Sequence, residues 1–217
     1  MLEINDEIPF LWRLSSDKEE GFSLVSMVVP FNSSTGNVEH TIQTDVISFT
    51  GEHEQLDEEE VLEWNEEDIS LFLKLLAIRH LSNGLREAEP GPARTFQVDL
   101  SDPETIEIIH IVAAAGFGMA LSVDDLLVTD PGDNHINLEE PDIGTRITLH
   151  TVDGYKRGVV VGQEEDDVVC VLLDPIRPNR MDQLNDIHPH DLVVVKPHQL
   201  LPAYYSSEQP AAGDVLH

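Results

Sequence analysis

Residues 145–152 read Thr-Arg-Ile-Thr-Leu-His-Thr-Val, residues 153–154 Asp-Gly, and residues 157–163 Arg-Gly-Val-Val-Val-Gly-Gln. The first stretch alternates apolar and polar side chains, which puts one set on each face of a pleated strand. Asp-Gly readily takes the positive φ of a tight hairpin turn, so the chain is expected to reverse there. The second stretch is a β-branched return strand. Downstream the rhythm continues with Glu164–Asp167 as a charged turn and Val168–Asp174 (VVCVLLD) as a third strand. A proline-broken loop over 175–186 leads to a one-turn element, Ile187–Leu192 (IHPHDL), and a last strand, Val193–Lys196. A run of short strands within 143–197, with a one-turn element before the last, is the plan of a small barrel.

Upstream, residues 129–142 (TDPGDNHINLEEPD) are rich in turn formers and acids and read as a linker. Residues 1–128 read as a mixed domain. Phe22–Phe31 is strand-like, Asn32–Gly36 a turn and Val38–Thr50 a loosely alternating partner, together a β-hairpin. Ile69–Leu81 predicts a helix with Ile69, Phe72, Leu73, Leu76 and His80 on one face. Leu71, Leu75 and Ile78 widen that face until the helix is apolar nearly all round, the mark of a buried one. Asn83-Gly84 stops it. Thr95–Leu100 is a short extra strand. Ser101-Asp-Pro-Glu104 is a capping box with proline in the first turn, opening a helix that ends near Ala115 at Gly116. The β-branched run TIEIIHIV leaves a strand as the alternative there. The expected fold class is therefore α+β: an N-terminal domain of a hairpin, two helices and an extra strand, then the barrel, then an extended tail over 198–217.

The order Gly-x-Arg-Ile-x-Leu, Asp-Gly, Arg-Gly-Val-Val, Asp-Leu-Val-Val-Val in residues 143–197 resembles the KOW and Tudor-like SH3-fold modules. The resemblance covers this segment alone. It implies a module that binds a protein or a nucleic acid rather than an enzyme.

Charge is the strongest compositional feature. The 217 residues hold 42 acids and 12 bases, a formal net charge of −30. Residues 1–142 carry 31 acids against 6 bases, and residues 143–217 carry 11 against 6. Phosphate contacts need Lys and Arg, so the composition argues against direct nucleic-acid binding by residues 1–142. Such a field favours basic proteins, cations or a saline solvent. No apolar run is long enough to span a bilayer. The opening MLEINDEIPFLW has acids where an export signal has bases, so a cytoplasmic or virion location is expected. Cys170 is the one cysteine, in an apolar strand, which excludes an internal disulfide.

Catalytic and cofactor motifs are absent from the sequence. A methyl-lysine cage needs several aromatics, and the barrel segment offers Tyr155, with Tyr204 and Tyr205 beyond it. Lys156, Arg157, Arg177 and Arg180 lie in loops that could converge on phosphate; the competing reading pairs them with neighbouring acids. His188-Pro-His190-Asp191 has metal-ligand residue types but the spacing of a structural turn, and no third cluster completes a zinc site. Asp130, Asp133, His135, Asn137 and Glu139 fail the EF-hand spacing and read as turn chemistry. His110, among isoleucines, reads as a satisfied histidine. No metal or cofactor is expected.

The acidic run before the first predicted helix remains. Glu58, Glu59, Glu60, Glu63, Glu66 and Glu67 form either a solvated loop and first helical turn or an electronegative surface for a partner. Two functional classes follow. One is a non-catalytic structural or adaptor subunit of a larger assembly, such as a virus particle, whose partners are protein subunits with basic surfaces. The other is an acidic mimic of nucleic acid that blocks a DNA- or RNA-binding protein. An enzyme with an unmarked site and a halophilic origin for the charge are further readings.

Overall fold

The computed structural model describes residues 2–4, 10–17, 22–30, 39–48, 60–82, 96–128, 141–177 and 186–203. Their elements are β1 (Leu2–Ile4), β2 (Leu11–Asp17), β3 (Phe22–Val29), β4 (His40–Ser48), β5 (Glu60–Glu63), α1 (Glu66–Ser82), β6 (Phe96–Val98) and α2 (Pro103–Phe117). β7 (Ala120–Ser122), β8 (Arg146–Thr151), β9 (Gly154–Glu164), β10 (Asp167–Leu172), β11 (Leu192–Val195) and β12 (Leu200–Pro202) follow. The content is mixed α+β, with two helices and several sheets among the described residues. The chain divides into two compact units, Met1–Met119 and Ala120–His217. No helix of the described residues is long and apolar enough to cross a membrane.

In the first unit the expected hairpin forms as β3 and β4, antiparallel. It belongs to a four-stranded sheet in the order β4-β3-β2-β5, and β1 pairs separately with β6. Both predicted helices are present. Along α1 the buried positions are Asp68, Leu71, Phe72, Leu75 and Leu76, an i, i+3, i+4 stripe, while Ile69 and Leu73 are half-buried. The buried face is thus narrower than the all-round apolar helix expected from sequence.

The cap of α2 falls one residue later than the capping-box reading, at Asp102, with Pro103 in the first turn. Ser101 is already committed: its amide and its hydroxyl both donate to Asp99 Oδ1, at 3.0 and 2.6 Å. Asp102 Oδ2 takes over, accepting from Thr105 N at 2.9 Å. Arg79 near the end of α1 ties the two helices, reaching Asp102 Oδ2 and Glu104 Oε2 at 2.7 Å each.

The second unit is a six-stranded sheet in the order β12-β8-β9-β10-β11-β7. All ladders are antiparallel except β11 with β7, which is parallel. The reversal expected at Asp-Gly occurs one residue earlier: Thr151 pairs with Gly154, Val152 and Asp153 form the turn, and Gly154 takes φ +88° as β9 begins. Ile147, Leu149, Val160, Cys170, Leu172, Val193 and Leu200 meet in one core. The sheet is open among the described residues, so the expected closed barrel is not shown. β7 lies on the outer edge of β11, where a closing strand would pair. Two boundaries also move. Residues 120–128, read as the end of the first domain, supply β7, and residues 200–202, read as tail, supply β12 against β8. Most of the expected linker lies outside the described residues.

Candidate functional site

The acidic run does not enter α1 as a plain loop. Glu60–Glu63 (EVLE) is strand β5, pairing antiparallel with β2 in the register Leu11↔Glu63, Trp12↔Leu62, Arg13↔Val61 and Leu14↔Glu60. Alternation then puts Glu60 and Leu62 on the face shared with Trp12 and Leu14, and Val61 and Glu63 on the other. Val61 is 51 % exposed and Leu62 36 %, whereas most large apolar side chains nearby are buried. Glu63 is exposed, and Glu66 and Glu67 stand exposed in the first turn of α1, at the positive end of its dipole. Glu58 and Glu59 lie outside the described residues.

A cluster of aromatic rings holds this edge in place. Trp64, directly after β5, stacks on Trp12 with centroids 4.7 Å apart and planes 21° apart. Phe10 and Phe72 meet Trp64 edge-on at 5.2 and 5.3 Å, and Phe117 meets Trp12 at 5.6 Å. Asp68 is buried against this cluster. Its Oδ2 accepts from Trp12 Nε1 at 3.0 Å and from Asn65 N at 3.1 Å. Asn65 Oδ1 accepts in return from Asp68 N at 2.8 Å, so the two side chains form a reciprocal cap. Burial pushes the Asp68 carboxyl above its ordinary range, against the lowering by those two hydrogen bonds. This arrangement was missed at the sequence level. Its one visible signal was an Asn-x-x-Asp spacing after a tryptophan.

Three basic side chains of the second unit, Lys156, Arg157 and Lys196, pair with aspartates. Lys156 Nζ lies 2.8 Å from Asp153 Oδ2. Arg157 grips Asp174 with two bonds, Nε to Oδ2 at 2.9 Å and Nη2 to Oδ1 at 2.7 Å. The Arg177 amide donates to Asp153 Oδ2 at 3.0 Å, so one aspartate draws the Lys156 head and the Arg177 backbone together. Hydrogen bonds from these partners hold the Asp153 and Asp174 carboxyls below the usual carboxylate range. Lys196 pairs with Asp167. Arg180 lies outside the described residues.

The histidine motifs resolve into structure. His188 N donates to Asp191 Oδ2 at 2.7 Å, Asp191 N to His188 O at 3.3 Å, and His190 takes φ +68°, a closed turn. His110 Nδ1 on α2 lies 2.7 Å from Asp45 Oδ1 on β4. Tyr155 stacks on His150 at 4.5 Å. Residues 130–139 lie outside the described residues.

Compared with known proteins, the chain has no significant match to any family model, curated protein or solved structure.

Proposed function

We propose that this chain is a non-catalytic structural or adaptor subunit of a larger assembly, such as a virus particle in or from the cytoplasm, and that it works through protein–protein contacts. The observation that carries the reading is β5, at the edge of its sheet among the described residues, whose Val61 and Leu62 remain 51 % and 36 % exposed among Glu60, Glu63, Glu66 and Glu67. An edge strand with apolar side chains in water invites pairing, and a protein partner accounts for it. Phosphate as ligand is disfavoured by the internal pairing of Lys156 and Arg157. A nucleic-acid mimic would present carboxylates at phosphate-like positions without interruption, whereas β5 sets two apolar residues between its glutamates.

The second unit is proposed to be an SH3-like module with one strand added. Its strand order β12-β8-β9-β10-β11, antiparallel throughout, supports this, as does the one-turn 3-10 helix Pro197–Gln199 directly before β12.

The test is site-specific crosslinking. The full chain carries p-benzoylphenylalanine at position 61 or, as a control of equal exposure, at Val152. The expected result in native extract or particles is one dominant protein adduct from position 61, unaffected by nuclease. Equal labelling from both positions would overturn the reading, and loss of the adduct to competing duplex DNA would establish the mimic instead.

A further inference from the structure

The structure points to a specific occupant for the outer edge of β5, and the inference rests on the reading of β5 as a contact surface. A strand directs its backbone N–H and C=O groups alternately to its two sides. β2 takes one side of β5, and among the described residues no strand takes the other. We infer that a partner segment adds to this edge as a further strand, and that the segment carries two adjacent apolar residues flanked by Lys or Arg.

Directly opposed residues on neighbouring strands share a face. Across β5 a partner therefore meets Glu60 and Leu62 on one face and Val61 and Glu63 on the other. Opposite charges and matched apolar pairs stabilise such positions, and like charges destabilise them. The sequence Glu-Val-Leu-Glu has the same charge pattern read in either direction. A basic–apolar–apolar–basic segment consequently fits β5 whether it enters parallel or antiparallel. Glu66 and Glu67, exposed one residue beyond Asn65, extend the attraction past the strand.

A second copy of this chain is the other strand-like candidate. Antiparallel pairing of two β5 strands would set Glu60 against Glu63 at both ends, which selects against it. The acids thus guard the edge against self-association while leaving it open to a basic strand.

The experiment titrates isotope-labelled full-length protein with synthetic ten-residue peptides, followed by amide NMR. The probe has Lys-Val-Ile-Lys at its centre between Ser and Thr residues. Controls are the same peptide N-methylated at alternate central amides, which keeps every side chain and removes ladder donors, and a scrambled peptide of equal charge. Expected is shift change centred on residues 60–63, with affinity about tenfold or more weaker for both controls. Val61→Lys, at an exposed site, should weaken the probe comparably while the remaining amide spectrum stays intact. Equal binding by the probe and the N-methylated peptide would overturn strand addition. No binding by any peptide, with the position-61 crosslink still forming, would overturn the partner chemistry and leave the contact surface standing. Concentration-dependent dimers in sedimentation that Val61→Lys disperses would assign the edge to a second copy instead.

Discussion

Removing the Asp68 carboxylate should release the link between β2 and α1, and the size of the loss can be worked from its bonds. In Asp68→Ala the Trp12 indole N–H, buried with its ring, loses its acceptor; an unsatisfied buried donor costs about 1–3 kcal/mol. The Asn65 amide loses its return bond, a further contribution of about 0.5–1.5 kcal/mol. The better helix propensity of alanine gives back about 0.5 kcal/mol, so a net loss of about 1–4 kcal/mol is expected. Asp68→Asn keeps an oxygen where Oδ2 accepts both bonds and removes a charge whose burial is unfavourable. It should be neutral or stabilising at pH 7.

The pH dependence follows from the direction of the shift. The folded carboxyl binds its proton more readily than the unfolded one, so the cost of its charge is fully present above the folded pKa. That cost fades as pH falls through the folded pKa and is gone below the ordinary value of 3.8. Any advantage of Asp68→Asn over the native protein should therefore shrink as pH is lowered from neutral towards 4. Urea unfolding followed by tryptophan fluorescence is the assay, because the chain has two tryptophans and both, Trp12 and Trp64, lie in this cluster. A loss for Asp68→Ala under about 0.5 kcal/mol, or one equal to that of Asp68→Asn, would refute the reasoning.

Four further outcomes are expected. A fragment of residues 120–203 should give dispersed amide shifts, whereas 143–197 should be poorly ordered, because it lacks β7 and β12 and leaves the sites of Leu200 and Leu201 empty, each worth about 1.5–3 kcal/mol. Cys170, fully buried and with its thiol pushed up to about 12, should resist a thiol reagent until the unit unfolds; rapid native labelling would contradict its place in the core. Breaking the Arg157–Asp174 pair with Arg157→Ala should cost under about 1 kcal/mol in denaturant, since the arginine is mostly exposed and solvent screens the pair. Stability should rise with salt to about 0.1 M and then level off as self-repulsion is screened, whereas a steep gain continuing to molar salt would mark the charge as an adaptation to brine.

The hairpin β3–β4, both helices and the run from β8 to β11 were legible because hydrophobic periodicity and turn residues agreed there. β2 and β5 were not. Leu11–Asp17 carries a single strong alternation, Trp12 and Leu14 inward with Arg13 between, and it follows a polar start that draws attention to charge. Glu60–Glu63 is two glutamates around two apolar residues, a pattern that fits an exposed loop or a helix start as well as a strand. It becomes a strand through register with β2, which places Leu62 beside Trp12. Local sequence does not encode that contact. The Asp102 cap was missed by one position because Ser101 had a nearer partner in Asp99, a competition that spacing alone does not reveal.

The second unit shows the same competition among charges. Of the two sequence readings of Lys156 and Arg157, convergence on phosphate or pairing with neighbouring acids, the second matches the contacts: both lie in β9, held by Asp153 and Asp174, and a guanidinium bound at two points is a poor candidate for phosphate. In residues 1–142, with 31 acids to 6 bases, such neutralisation runs out of cations. Arg79 serves Asp102 and Glu104 together, and Arg13 serves Glu39. Most of the remaining carboxylates, among them Glu63, Glu66 and Glu67, must be balanced by solvent ions or by a partner. A basic partner strand on β5 would supply that balance at the place where apolar side chains also remain uncovered. Charge and hydrophobic exposure, independent features of the chain, thus meet at β5 and the first turn of α1.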